Sequence, residues 1–390
     1  AGPQAHAMQP SVALAALLIS SAVFAQNPAP TCSDVMDVTL EIPVDECNIC
    51  MVGCAPYVSA SISYDTWTGV LDHMADHCAL VVHVGDTIPS GYVCNDTVLS
   101  RPLDDFKAMA TTAGIPALYT LGDNECNDCH RKFGDTTKPA QFYKAKDARD
   151  WVVGKYFTDT TKDLTGKEDV TTQSAECPFN VYIKKCNAAV VTLEVPGSYW
   201  YMADESKAYP DQYTVDPFEG VQGRIAMYQQ ARDCTLAFID ESMEKAKNDP
   251  DVHSVMFFFQ ASFWTEKASN EGSSSTFGQK LYDKGSSMPE GSSVPWYNAT
   301  KEAYDATNGG ENPFKPLADK LLAVADAYPE LTIFTGHADH HHFRMQSPLK
   351  KKNYIDVMTE GGGAAMTSYT KFQVKDDAMN PVTVSDVRIS

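Results

Sequence analysis

Residues 121–131 read LGDNECNDCHR and place two Asp, two Asn, one Glu, two Cys, one His and one Arg in eleven residues. Further on, residues 336–344 read GHADHHHFR and carry four of the ten histidines. Carboxylates, imidazoles and thiols at that density are the donor set of a divalent ion or of proton transfer. Imidazoles interleaved with Asp339 suit zinc or a transition metal better than calcium, which prefers oxygen ligands. Any one His in a polar run is by default a solvated loop residue, so the weight rests on where these groups sit. Each segment follows an apolar run, 115–121 and 331–335, and two other runs end alike: 79–84 enters Gly85-Asp86 and 252–259 enters Gln260. In open α/β sheets, ligands gather at the carboxyl ends of strands, where loops present side chains over a rigid edge. The Gly ahead of Asp86 and of Asp123 lets the backbone approach closely as the chain leaves the sheet.

The elements that must position these groups are legible in the same way. Short β-rich runs at 49–53, 79–84, 115–121, 189–195, 252–259 and 331–335 alternate with helical stripes. Ile225, Tyr228, Ala231, Cys234 and Phe238 recur at spacings of three and four, and Leu317, Leu321 and Val324 do the same. Such alternation predicts a sheet covered by helices on both faces. A Gly/Ser-rich stretch, 269–293, reads as an exposed insertion in one domain spanning 26–390, without internal repeats.

A chain of 390 residues with 43% hydrophobic content can bury a large core, and its net charge of −20 argues against nucleic acid as a partner. The basic run 350–352 reads as a solvated turn. Residues 12–24 read as the apolar core of a signal peptide cleaved at about 25/26, which predicts a secreted protein with no stable membrane anchor. The usual positive charge ahead of that core is missing, and residues 1–7, ahead of Met8, have no account. Eleven Cys all follow residue 25, and export makes disulfides the default, with one thiol left over. The two C-x-x-C pairs, Cys47/Cys50 and Cys126/Cys129, lie too far apart for an obvious zinc-thiolate site, and no helix start follows either pair to support redox chemistry. Cys177 and Cys186 bracket PFNVYIKK and are candidates to staple a local hairpin. Asn95 and Asn298 head glycosylation sequons.

VVHVGD, LGDNE and TGHADHH, in that order at strand ends, resemble the calcineurin-like metallophosphoesterases, whose motifs run D-x-H, G-D-x-x-D, G-N-H-[DE], a lone His and G-H-x-H. GDNECNDCHR resembles an exported branch of that family, and FQVKDDAMNPVTVSDVRIS resembles its terminal strand pair. The resemblance runs from about residue 47 to 344. It implies an α/β fold with a β-sandwich core flanked by helices, four layers α/β/β/α. It also implies metal-dependent hydrolysis of a phosphate ester, with a small phosphorylated molecule or polymer as substrate and a divalent ion (Zn, Mn or Fe) as cofactor.

Carried over by position, the resemblance makes Asp86 the bridging carboxylate and puts Asp123 where the family has its Asn ligand. The last motif has two registers, so His337, Asp339 and His341 all join the candidate metal ligands. Asn124 falls where the family's catalytic His sits, and an amide is no general acid at neutral pH. His130 in the same loop is the substitute proton donor or a loop-holding residue. Arg344 clamps a phosphate or forms a structural salt bridge. Cys129 pairs with Cys94 in this reading and pins the loop. Besides Asn124, two places depart from the pattern: Gly53-Cys54-Ala55-Pro56-Tyr57 lacks the first motif's Asp and His, and Gln260 stands in the place of the lone His. The expected site is therefore altered and mononuclear, with Cys54 able to supply a thiolate. The alternative is an extracellular binding or structural protein on the same scaffold with turnover lost.

Overall fold

Alternation within the strands decides the architecture. A computed structural model of the chain describes residues 47–57, 64–89, 92, 94–130, 145–157, 163–166, 168, 170–201, 221–264, 313–339, 341, 343–362, 367–376 and 381–389, all in one compact unit spanning Glu46–Ser390. In chain order the elements are β1 (Cys47–Val52), α1 (Tyr64–His77), β2 (Leu80–His83), α2 (Asp96–Ala113), β3 (Ala117–Tyr119), α3 (Ala145–Tyr156), β4 (Thr171–Thr172), β5 (Val181–Lys185) and β6 (Ala188–Thr192). They continue with α4 (Gly197–Trp200), α5 (Val221–Lys247), β7 (Ser254–Phe258), α6 (Lys315–Ala327), β8 (Thr332–His337), β9 (Arg344–Gln346), β10 (Tyr354–Met358), β11 (Ser368–Val374) and β12 (Val382–Arg388).

Among the described residues, these strands form two sheets rather than the single sheet that alternation suggests, in the orders β12-β11-β1-β2-β3 and β4-β5-β6-β7-β8-β10-β9. Ile49 and Met51 of β1, Leu80 and Val82 of β2, Met256 and Phe258 of β7 and Phe334 of β8 share one apolar cluster with Phe372 of β11. Phe372 stands edge-on to Phe258 and Phe334, with ring centroids 5.5 and 6.0 Å away, which joins the inner faces of the two sheets. The intervening residues, Cys50, Val52, Val81, Val255 and Phe257, face the helix side and join Trp67 of α1, Phe106 of α2, Phe238 of α5 and Leu321 of α6. Period-two side chains thus give each sheet one inner and one outer apolar face, and the result is a β-sandwich flanked by helices. The closing strand β11 pairs antiparallel with β12 over seven residues and with β1 over five.

β1, β2 and β3 run parallel, as do β6, β7, β8 and β10. The loops that follow β1, β2 and β3 of one sheet and β8 of the other bring side chains together in one place.

Four disulfides brace this core. Cys50–Cys78 ties β1 to the end of α1, and Cys47–Cys186 ties β1 to the β5–β6 turn of the other sheet. Cys94–Cys129 pins the loop after β3 to the start of α2, closing 35 residues, which is worth about 4 kcal/mol of chain entropy in the simplest model. Cys177 pairs with Cys234 of α5, not with Cys186 as the sequence suggests. The five-residue strand β5 lies between Cys177 and Cys186. At about 3.3 Å per extended residue, that span exceeds the roughly 7 Å that a disulfide can bridge. Two thiols, Cys54 and Cys126, stay free among the ten described cysteines, and Cys32 lies outside the described residues.

Asn95 caps α2, its Oδ1 accepting from Val98 N at 2.9 Å. In the basic run, Lys350 and Lys352 are exposed and the half-buried Lys351 pairs with Asp326. No helix among the described residues is long and apolar enough to cross a membrane. The leader 1–25, the 269–293 insertion and Asn298 lie outside the described residues.

Candidate metal centre

Asp86 follows β2 in a left-handed backbone (φ 58°), and Cys54 after β1 and His341 after β8 share that conformation (φ 49° and 64°). Non-glycine residues held there cost about 1–3 kcal/mol each and persist where the surroundings over-determine them, which concentrates them at functional sites. Here three of them lie in one place. Gly122 makes room for Asp86: a Cβ on Gly122 would run into the Asp86 backbone nitrogen and Oδ1.

Two donor groups converge on Asp86. In one, Asp86, Asp123 and Asp339 each offer an oxygen within 4.8 Å of the others; in the second, Cys54, Asp86 and His341 do the same with sulfur, oxygen and nitrogen. Asp86 and Asp123 are buried, while Asp339 and His341 are half-buried. Around Asp86 the donors are neutral: Cys54 Sγ (3.4 Å), Tyr57 Oη (3.1 Å) and Gln260 Nε2 (3.0 Å) donate to Oδ2, and Asn124 N (3.2 Å) donates to Oδ1. Gln260 Nε2 also reaches Asp123 Oδ1 at 3.3 Å, so one amide spans both carboxylates.

Burial first, and then the neighbouring charges of Asp123, Glu125 and Asp339, push the Asp86 carboxyl well above the usual range. Desolvation and Asp123 push Asp339 up to about 7. Desolvation lifts Glu125 to about 7 as well, against hydrogen bonds from Tyr119 and Thr87 that favour its charged form. Burial and the Asp86 and Asp339 charges raise the Cys54 thiol. Like charges gathered out of water must take up protons or a cation. Three carboxylates with a thiol and an imidazole form a donor set that fits a divalent ion.

The other expected residues are placed as follows. Asn124 Nδ2 donates to Tyr57 Oη (2.7 Å) and to the Ile88 carbonyl (2.9 Å), which anchors the loop and gives no proton donor. His337, fully buried at the end of β8, belongs to neither donor group among the described residues: Asp356 lies 3.1 Å from its Nε2, and Ser262 Oγ lies 2.6 Å from its Nδ1. A carboxylate can only accept from Nε2–H, so in a neutral ring Nδ1 accepts from the Ser262 hydroxyl. Arg344 lies on β9 opposite Met358 and makes no ion pair among the described residues. The side chains of His130, His340 and His342 lie outside the described residues. Tyr57 is the member that the sequence did not single out, and a lone Tyr after a cis Ala55-Pro56 bond carries no motif signal.

His83 supports the centre from beneath. Its Nε2–H donates to the Ala55 carbonyl (2.8 Å) and its Nδ1 accepts from Gly85 N (3.2 Å), which fixes the loops bearing Cys54 and Asp86. Burial pushes its pKa down to about 4, only partly offset by the Ala55 carbonyl. The unfolded chain takes up this proton below about pH 6.5 and the folded chain only below about 4, so the stabilising term present at neutral pH falls by about 3 kcal/mol across that window. The Asp339 and Glu125 carboxyls, both raised to about 7, act in the opposite direction, because near pH 6 they are charged when unfolded and mostly protonated when folded. Urea unfolding at pH 7 and pH 5 should therefore show about 2 kcal/mol of this loss as a difference between wild type and His83→Leu. Parallel pH dependence in the two proteins would refute the assignment.

No family model matches the sequence, and no curated protein matches it significantly. Solved structures resemble it at low identity. One is GAP50, the anchor in the inner membrane complex of Plasmodium, at 9% identity over 88% of this chain and 89% of that one, with a TM-score of 0.40. A second is a 5'-nucleotidase from Candida albicans, at 9% identity over 89% of this chain and 52% of that one, with a TM-score of 0.38. A third is a hypothetical protein from Thermus thermophilus, at 10% identity over 87% of this chain and 98% of that one, with a TM-score of 0.35. The chain thus spans about half the length of the nucleotidase.

Proposed function

We propose that the chain is a secreted, metallophosphoesterase-like protein that holds one divalent ion at Asp86 and hydrolyses small phosphate esters slowly. The observation that carries this reading is the convergence of Asp86, Asp123 and Asp339, from three strand ends in two sheets, within 4.8 Å. When bound, such an ion polarises a phosphoryl group and lowers the pKa of water. The chain's own part is to orient: Gly122 admits the Asp86 side chain, Tyr57 and Gln260 fix its Oδ2, and His83 ties the two flanking loops. Proton delivery is the weak step, because Asn124 offers an amide where a leaving group needs an acid. Four disulfides fit an extracellular setting, and the net charge of −20 favours a small substrate over a nucleic acid.

A second reading, a binding or structural protein without turnover, is favoured by Gln260, whose amide spans two carboxylates that an ion would otherwise join. Metal analysis of the purified protein, with hydrolysis of an activated aryl phosphate before and after chelation, separates the two. About one ion per chain and slow, chelator-sensitive turnover are expected. An ion-free protein with no turnover in added zinc or manganese would leave the second reading standing.

A further inference from the structure

We propose, resting on the metal-binding reading above, that the ion position is formed by Cys54, Asp86 and His341 and takes zinc or another thiophilic ion, with Gln260 filling the neighbouring position between Asp86 and Asp123. The three donors lie within 4.8 Å of one another, and Cys54 Sγ stands 3.4 Å from Asp86 Oδ2. Ligands of a tetrahedral ion with bonds of about 2.0–2.3 Å sit about 3.5 Å apart, so this edge already has the required length. A thiolate with an imidazole selects zinc over magnesium, manganese or calcium, whereas three carboxylates alone would not.

Cys54 remains a thiol in a chain where eight other cysteines form disulfides. Cys126, the second free thiol among the described residues, donates to the Ala145 carbonyl and belongs to neither donor group.

The surroundings are shaped to hold Cys54 and His341 together. A Cβ on Gly361 would lie 2.7 Å from the Cys54 Cβ and 3.1 Å from His341 Cδ2, and one on Gly362 would lie 2.8 Å from His341 Nδ1. Gly362 has a left-handed backbone (φ 71°) that resists any side chain, and its N–H donates to the Cys54 carbonyl at 2.8 Å. On the far side, the Tyr57 ring stands edge-on to the imidazole, centroids 5.4 Å apart, while its hydroxyl donates to Asp86. Gln260 decides which half of the centre is open. Its Oε1 accepts from Gly197 N, which turns the NH2 end toward Asp86 and Asp123. An NH2 group donates and cannot ligate a cation, so the Cys54 side is left for the ion.

The test is a Co2+ titration of the chelator-stripped, full chain. An intense sulfur-to-cobalt charge-transfer band is expected, displaced by stoichiometric Zn2+ and not by Mn2+. Cys54→Ser should lose the band and weaken Zn2+ binding by about 10–100-fold or more, while Cys126→Ala keeps both. Binding of Co2+ or Mn2+ without the band, or a Cys54→Ser titration like wild type, would overturn the thiolate position and leave an all-oxygen centre intact. If the wild type takes up none of the three ions, the metal-binding reading falls with it. Should Cys54→Ser fail to fold, the wild-type band and its retention in a variant carrying both Cys32→Ala and Cys126→Ala decide the question.

Discussion

Asp86→Asn should abolish divalent-ion binding and, without metal, make the protein more stable than wild type by about 1 kcal/mol or more. Both effects have one cause. Asp86 belongs to both donor groups, so its loss removes a ligand from either ion position. In the ion-free protein its carboxyl is buried among Asp123, Glu125 and Asp339, and each of these charges disfavours its ionised form. An amide keeps the shape and removes the charge, which relieves a cost that burial magnifies. The trade of stability for a binding site is common where a centre awaits its ligand. Adding metal at about 100 times its dissociation constant should stabilise the wild type by about 2.7 kcal/mol and the variant not at all, so the order of stability inverts. Thermal unfolding of both proteins, chelated and metal-loaded, measures this directly. A variant that is less stable when chelated, or that still gains from metal, would show that Asp86 is held by its neutral donors rather than kept for an ion.

The strand ends that carry this candidate site are legible in the sequence, and the reason is local. The runs ahead of Asp86, Asp123, Gln260 and Asp339 are β-rich and end in strands, and a side chain just beyond a strand end is placed by that strand. The reading fails where a long-range partner decides. His337 and Asp339 look equivalent in sequence, yet His337 is the last residue of β8 and turns to Asp356, 19 residues on in β10, and to Ser262, 75 residues back. Asp339 lies beyond the strand and reaches the centre. Gln260 reads in sequence only as a missing His, because its role depends on Gly197 fixing the amide's orientation. The same holds for Cys47–Cys186, which spans 139 residues and joins two sheets that the alternation of elements does not distinguish. The helical stripes are clear, but which sheet each one covers is set by topology.

Replacing two of the departures from the family pattern, Gln260 and Asn124, should raise hydrolysis. Gln260→His exchanges an NH2 that donates to Asp86 and Asp123 for an imidazole whose neutral nitrogen can ligate, so the ion count should rise from one per chain to two, with a modest change in rate. Asn124→His supplies a general acid at the position where the loop now holds an amide, and such groups contribute about 10²–10⁴-fold. The substitution sacrifices the bonds from Asn124 Nδ2 to Tyr57 and Ile88, at a cost of about 1–3 kcal/mol in stability. In the double variant, kcat/KM for an aryl phosphate should rise at least about 100-fold, and the pH–rate profile should gain an alkaline limb as the new imidazole loses its proton. Adding Asp86→Asn to the double variant should return activity to background, which ties the gain to the centre rather than to a stray imidazole. If the double variant binds two ions and remains as slow as wild type, the missing groups are not what limits turnover. The scaffold would then have lost catalysis in how it presents substrate, and the binding-protein reading would be the stronger one.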